Sequence, residues 1–167
     1  MHASKLLTAA PRLPIARIRN SHDLFALIPR QICHLLLIVD PAAEPESALT
    51  IALEIAERWG PQITLVHGGR LSGWQSTEEA SAKTALAELL CLSWQIKGEY
   101  RDISISQTLP RSLGELLDEA KKRKADLILL PERLSAGFRH PEPVRFGSGN
   151  LVSQCPIAIA MEPESEW

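Results

Sequence analysis

The carboxylate of Asp40 is the group in this sequence whose type and position most clearly suggest chemistry. It directly follows five large aliphatic residues, 35–39, which is the pattern of a strand buried on both faces of a parallel sheet. Ligands of open α/β sheets bind beyond the carboxyl ends of the strands. Asp40 is therefore a candidate ligand-contacting residue. The alternative is a structural role, in which its side chain caps the strand or the next turn.

Other chemistry is poorly represented in the sequence. It contains no phosphate-binding loop of the G-x-x-x-x-G-K-[ST] type and no G-x-S-x-G nucleophile elbow. The cysteines and histidines are scattered without disulfide or metal-ligand spacing, at Cys33, Cys91, Cys155, His2, His22, His34, His67 and His140. We therefore predict no catalytic residue and no metal site. The cysteine pattern favours a reducing, cytoplasmic setting.

The elements that must position Asp40 follow from hydrophobic periodicity. Strands are predicted over 34–39, 62–67, 102–108, 125–130 and 156–160, the third of them nearer the sheet edge. Helices are predicted over 47–59, 76–95 and 112–124, with a short fourth helix before the last strand. This order predicts a doubly wound three-layer α/β sandwich with a five-stranded, mostly parallel sheet and four helices. The basic cluster at 121–124 is interpreted as solvated charge at a helix end.

Charge separates the first 33 residues from the rest of the chain. They carry five basic residues and one acidic residue, a net +4, whereas the remainder carries 13 basic and 19 acidic residues, a net −6. We predict an N-terminal extension (1–33), disordered or surface-draped over 1–12 and partly docked over 13–33, before one domain at 34–167. The overall charge of −2 argues against nucleic-acid binding. No apolar run approaches the roughly 20 residues of a membrane span.

Four pieces of the sequence, in order, resemble the universal stress protein family. They are LLLIVD followed by ESALTIALEIAERWG, the strand TLVH, the helix and strand AKKRKADLILLP, and the last strand CPIAIA. The resemblance covers 34–161 and implies a Rossmann-like five-stranded fold, a cytoplasmic stress-related role and a homodimer, often formed through the last strand (Pro156 to Ala160). Many members of that family bind ATP, with an Asp at the position of Asp40 contacting the nucleoside.

The family's phosphate-binding signature, G-x-x-G, nine residues, then G-S or G-T, fits this chain in two registers. Without gaps, the paired glycines fall on Pro131 and Leu134, and the site is lost because Pro131 lacks an N–H and Leu134 would crowd the phosphates. In the second register Gly137, Gly147 and Ser148 match the signature, and Asn150 takes the place of a hydroxyl-bearing residue. The alternative for Gly147 to Gly149 is a turn without ligand.

We accordingly expect a dimeric universal-stress-type regulatory or binding protein in which ATP or AMP is a candidate ligand at Asp40, Gly137, Gly147, Ser148 and Asn150. One alternative is a nucleotide-independent protein-interaction module, suggested by the basic extension on an acidic body. A less favoured alternative is a nucleotide hydrolase or adenylyl transferase, because phosphate chemistry needs positioned cations and the sequence offers no motif for them.

Overall fold

A computed structural model describes residues 15–28, 30–40, 47–71, 78–100, 102–132, 134 and 155–162. The strands are β1 (Ile15–Ile18), β2 (His34–Val39), β3 (Gln62–His67), β4 (Ser104–Thr108), β5 (Leu127–Pro131) and β6 (Ile157–Ala160). The helices are α1 (Ser21–Leu27), α2 (Ser47–Trp59), the four-residue α3 (Gly68–Leu71), α4 (Glu78–Glu99) and α5 (Leu113–Lys122).

The six strands form one parallel sheet in the order β1-β6-β5-β2-β3-β4. The predicted α/β class and parallel sheet are confirmed, and the fold is Rossmann-like. β4 lies at an edge of the sheet, as its alternation of Ile105 with polar residues predicts.

The predicted number of five strands is wrong, because β1 adds a sixth outside β6. All four residues of β1 pair with β6, from Ile15 with Ile157 to Ile18 with Ala160. Its sequence, IARI, is short and contains an exposed arginine, so it carries little signal of its own. Pairing with β6 and burial of Ile18 decide its conformation.

Two hydrophobic cores lie on opposite faces of the sheet, and the alternation of side chains along each strand feeds both. In β2, Leu35 and Leu37 belong to the core under α1, α2 and α4, while Leu36 and Ile38 belong to the core under α5. Both faces of the central strands are therefore buried, which explains the continuous apolar run that predicted them.

The predicted helices at 47–59, 76–95 and 112–124 are confirmed with small shifts at their ends. α4 continues beyond its predicted end at residue 95, to Glu99. Ser112 caps α5 by accepting a hydrogen bond from the Glu115 amide at 3.1 Å. α1 was not predicted, and the predicted short helix before the last strand lies outside the described residues.

Candidate functional site

The carboxyl edge of the sheet contains a topological switch point between β2 and β5. These strands are neighbours, but the chain runs from β2 toward β3 and from β5 toward β6, on the other side. Connections that leave in opposite directions open the crevice in which α/β proteins bind ligands. Half-buried Asp40 follows β2 directly at this crevice, as its position in the sequence predicts.

Two further carboxylates share this edge. Glu132 follows β5, and continuing the register in which Leu37 pairs with Leu129 brings it level with Asp40. Glu162 follows β6 after one residue, and its amide donates a hydrogen bond to Glu132 Oε1 at 3.1 Å. Three adjacent strands thus each end close to an acidic side chain. Because like charges disfavour one another, these three described side chains do not by themselves attract a further anion.

The N-terminus of α2, which faces the same edge, already holds a carboxylate of the protein. Glu162 accepts a hydrogen bond from the Ser47 amide at 3.3 Å through Oε1 and from the Ser47 hydroxyl at 3.2 Å through Oε2. The partial positive charge of a helix N-terminus is what binds phosphate in many α/β proteins. Here Glu162 occupies that position.

A leucine side chain fills the close approach at the ends of β2 and β3. Leu134 packs into the core beneath α5, and its Cδ1 lies where a Cβ at Gly68 would be. Such a Cβ would also be 3.0 Å from the Val39 carbonyl oxygen and 3.2 Å from Ile38 Cγ2. A Cβ at position 68 would require the Leu134 side chain to move, so this space is taken by the protein's own apolar side chain.

One of the five predicted ligand residues lies in the described part of the chain. Asp40 lies at the switch point, whereas Gly137, Gly147, Ser148 and Asn150 lie outside the described residues. In the gap-free register, the two positions that would have to be glycine are both described. Pro131 is buried at the end of β5, and Leu134 is half-buried.

A histidine–carboxylate pair at the end of β3 was not predicted. His67 Nε2 lies 3.1 Å from Glu88 Oε1 of α4, and the side chains are 12% and 33% exposed. The buried Nδ1 of His67 has no hydrogen-bond partner among the residues that the structure describes. Such a pair can orient an imidazole for proton transfer. The 21 residues between them hide it from any local motif.

A second polar network, at the amino edge of the sheet, connects neighbouring strands and so has a structural role. The hydroxyl of fully buried Thr64 lies 2.8 Å from His34 Nε2 and 2.9 Å from Ser106 Oγ. The N–H groups of Cys33 and His34 donate to Asp126 Oδ2 at 2.8 and 3.0 Å. These contacts tie β2, β3 and β4 together on the side opposite Asp40.

The interpretation of 121–124 as purely solvated charge is wrong for Arg123. Its guanidinium turns inward to donate to Thr64 Oγ1 at 3.4 Å and Ser106 Oγ at 3.3 Å. It also lies 3.6 Å from Glu119. Arg123 is the C-cap residue of α5. Because the helix ends there, its side chain can turn toward the sheet.

A groove of about 680 Å³ lies between the end of β4 and α5. Its wall includes Glu115, Asp118 and Glu119 together with Lys121 and Lys122. Glu119 accepts a hydrogen bond from Thr108 at 2.8 Å. The acidic groups outnumber the cations, so this groove offers no cluster of positive charge for a phosphate.

Metal and thiol chemistry find little support in the described part of the chain. Among its residues no three His, Cys, Asp or Glu side chains are grouped as a metal site requires. Burial, with a smaller contribution from Asp126, raises the pKa of Cys155 to about 12, so this thiol stays protonated. Within the same residues, no helix has the length and apolar character needed to cross a bilayer.

Comparison of the sequence with protein-family models gives no match, and comparison with curated proteins gives none either.

Proposed function

We propose that this protein is a cytoplasmic, dimeric regulatory or binding module of the universal-stress type that works without a bound nucleotide. The proposal joins the sequence resemblance over 34–161 to the character of the switch point. A binding module needs no catalytic group, and the sequence contains no motif for phosphate chemistry.

The contact between Glu162 and Ser47 carries the nucleotide-independent part of the proposal. The N-terminus of α2 is one place where an α/β protein can bind phosphate, and here Glu162 accepts two hydrogen bonds from Ser47 at that place. A phosphate could bind at this helix end only after Glu162 leaves. Leu134, packed against Gly68, further reduces the room at this edge.

Isothermal titration with ATP and with AMP, each with and without Mg²⁺, tests the proposal. We expect no saturable heat at millimolar nucleotide, which corresponds to a standard binding free energy weaker than about −4 kcal/mol. Saturable binding that is lost in Asp40→Ala but kept in Asp102→Ala would overturn it. Asp102 is an exposed carboxylate in the turn before β4, and it controls for the loss of one negative charge.

Nucleotide binding is the second candidate function, and the position of Asp40 favours it. Asp40 is half-buried at the switch point, where a carboxylate can accept hydrogen bonds from ribose hydroxyls. Gly137, Gly147, Ser148 and Asn150 would then supply the phosphate contacts. ATP or AMP binding in the same titration would establish this candidate, and turnover above background that is lost in Asp40→Ala would revive the enzyme alternative.

Dimerisation through the last strand meets an obstacle in this sheet. β6 pairs with β5 on one side and with β1 on the other, so both of its edges are used. A second copy could add to β6 only after displacing β1. We therefore expect the dimer contact to lie on another surface.

A further inference from the structure

α4 is apolar on two opposite sides. Ala85, Leu89 and Ile96 are buried against the sheet, with 5% exposure or less. The outward side carries Trp94, which is 80% exposed, and Leu86 and Leu90, which are each 40% exposed. A solvent-facing helix side normally carries polar residues.

The outward residues Leu86, Ala87, Leu90, Cys91 and Trp94 form one continuous surface, the α4 patch. They recur at spacings of three and four residues, so they lie on one side of the helix. All five are exposed and uncharged. Thr84 and Gln95, which are exposed on either side of this stretch, are polar but also uncharged. A clustered apolar surface of this kind marks an interaction site more often than single exposed apolar residues do.

The exposed charges of α4 lie at the two ends of the α4 patch, whereas Glu88, within its span, is 33% exposed and contacts His67. Lys83 is exposed before it, and Lys97 and Glu99 are exposed after it. In an antiparallel pair centred on the α4 patch, Lys83 falls opposite Gly98 of the partner subunit, between the partner's Lys97 and the partner's Glu99, so these charges do not decide the pairing. The patch residues themselves are uncharged, so the centre of the contact is apolar.

The sizes of the patch residues are also self-complementary. In an antiparallel pair centred between Leu90 and Cys91, Trp94 of each copy lies over Ala87 of the other. Each Leu90 then faces a Cys91. Helices pack closely when large side chains of one helix lie over small side chains of the other. A two-fold contact also requires that one surface be complementary to itself.

We propose that the α4 patch binds the α4 patch of a second copy, with the two helices antiparallel across a two-fold axis near Leu90 and Cys91. This deepens the dimeric part of the proposed function and does not depend on nucleotide. The position of α4 suits such a contact, because α4 packs over β3 and the edge strand β4. The second copy therefore leaves the β1–β6 pairing intact.

Cysteine cross-linking tests the geometry directly, because Cys91 lies at the centre of the α4 patch and is exposed. With bismaleimidoethane at low micromolar protein, we expect a covalent dimer from the wild type and from Cys33→Ser. Cys91→Ser should give none. Cys33 is the matched control because its thiol is also exposed but lies before β2, away from α4. A dimer that persists in Cys91→Ser overturns the proposed axis.

Light scattering on the full chain tests the surface independently of any cysteine. Trp94→Glu should lower the mass from dimer to monomer, with an unchanged circular dichroism spectrum because Trp94 is exposed. Leu27→Glu should keep the dimer mass, since Leu27 is 54% exposed on α1 and outside the α4 patch.

Two outcomes would overturn the inference. A monomeric wild type would remove the dimer, and a dimer unaffected by Trp94→Glu would place the contact on another surface. Neither outcome bears on nucleotide binding, which the titration with ATP and AMP tests separately.

Discussion

Thr64 shows at the residue scale how one hydroxyl organises the amino edge of the sheet. It is fully buried, yet its Oγ1 lies within hydrogen-bond distance of His34, Ser106 and Arg123. Buried polar groups are costly when they lose their partners. The network therefore holds three strands in register and carries a penalty if it is broken.

Thr64→Val should lower the free energy of unfolding by about 1–3 kcal/mol, because valine keeps the shape and leaves His34 Nε2 and Ser106 with unmet hydrogen bonds. Urea denaturation followed by circular dichroism measures the change. The same substitution at Thr50, which is exposed on α2, should change it by less than about 0.5 kcal/mol. Equal effects at the two positions would show that the network does not stabilise the protein.

Contacts of this kind could not be read from the sequence. Thr64 lies 30 residues from His34 and 42 residues from Ser106, so no local spacing connects them. The same holds for His67 and Glu88. Asp40 could be placed because it directly follows a strand whose apolar run is a local signal.

At the scale of secondary-structure elements, β1 extends the sheet beyond β6, and the N-terminus of α2 at the carboxyl edge is occupied by Glu162. β1 covers the edge of β6, and Ile18 enters the same core as the helices on that face. The five other strands and three of the helices were predicted from their periodicity. β1 was not, because its conformation depends on pairing with residues at the other end of the chain.

Ile18→Ala should cost about 2–5 kcal/mol of folding free energy, the usual range for truncating a fully buried isoleucine. Ile15→Ala, at a half-buried position of the same strand, should cost clearly less. Both values come from urea denaturation. A negligible loss at Ile18 would mean that β1 is not part of the folded core in solution.

Glu162→Gln should destabilise the protein by about 0.3–1 kcal/mol at low salt, because it removes a negative charge from the N-terminus of α2. The loss should shrink as salt is added, since exposed charges are screened. Glu99→Gln, an exposed residue in the last turn of α4, should be neutral or slightly stabilising. A loss at Glu162 that does not change with salt would contradict the capping role.

At the scale of the whole molecule, the carboxyl edge of the sheet and the flank formed by β4 and α4 have different roles in the proposed function. The carboxyl edge carries three carboxylates and a space filled by Leu134, and β4 with α4 forms the flank offered to a second copy. The regulatory module proposed here would thus signal through contacts between proteins, with the α4 patch as its first contact.

Amide chemical shifts recorded during an ATP titration test the central claim most directly, because they report on the switch point itself. With nucleotide raised to millimolar concentration, the account predicts no saturable change at the amides of Asp40, Ser47 and Gly68. A saturable change at these three amides, absent in Asp40→Ala, would show that nucleotide binds there and would contradict the account.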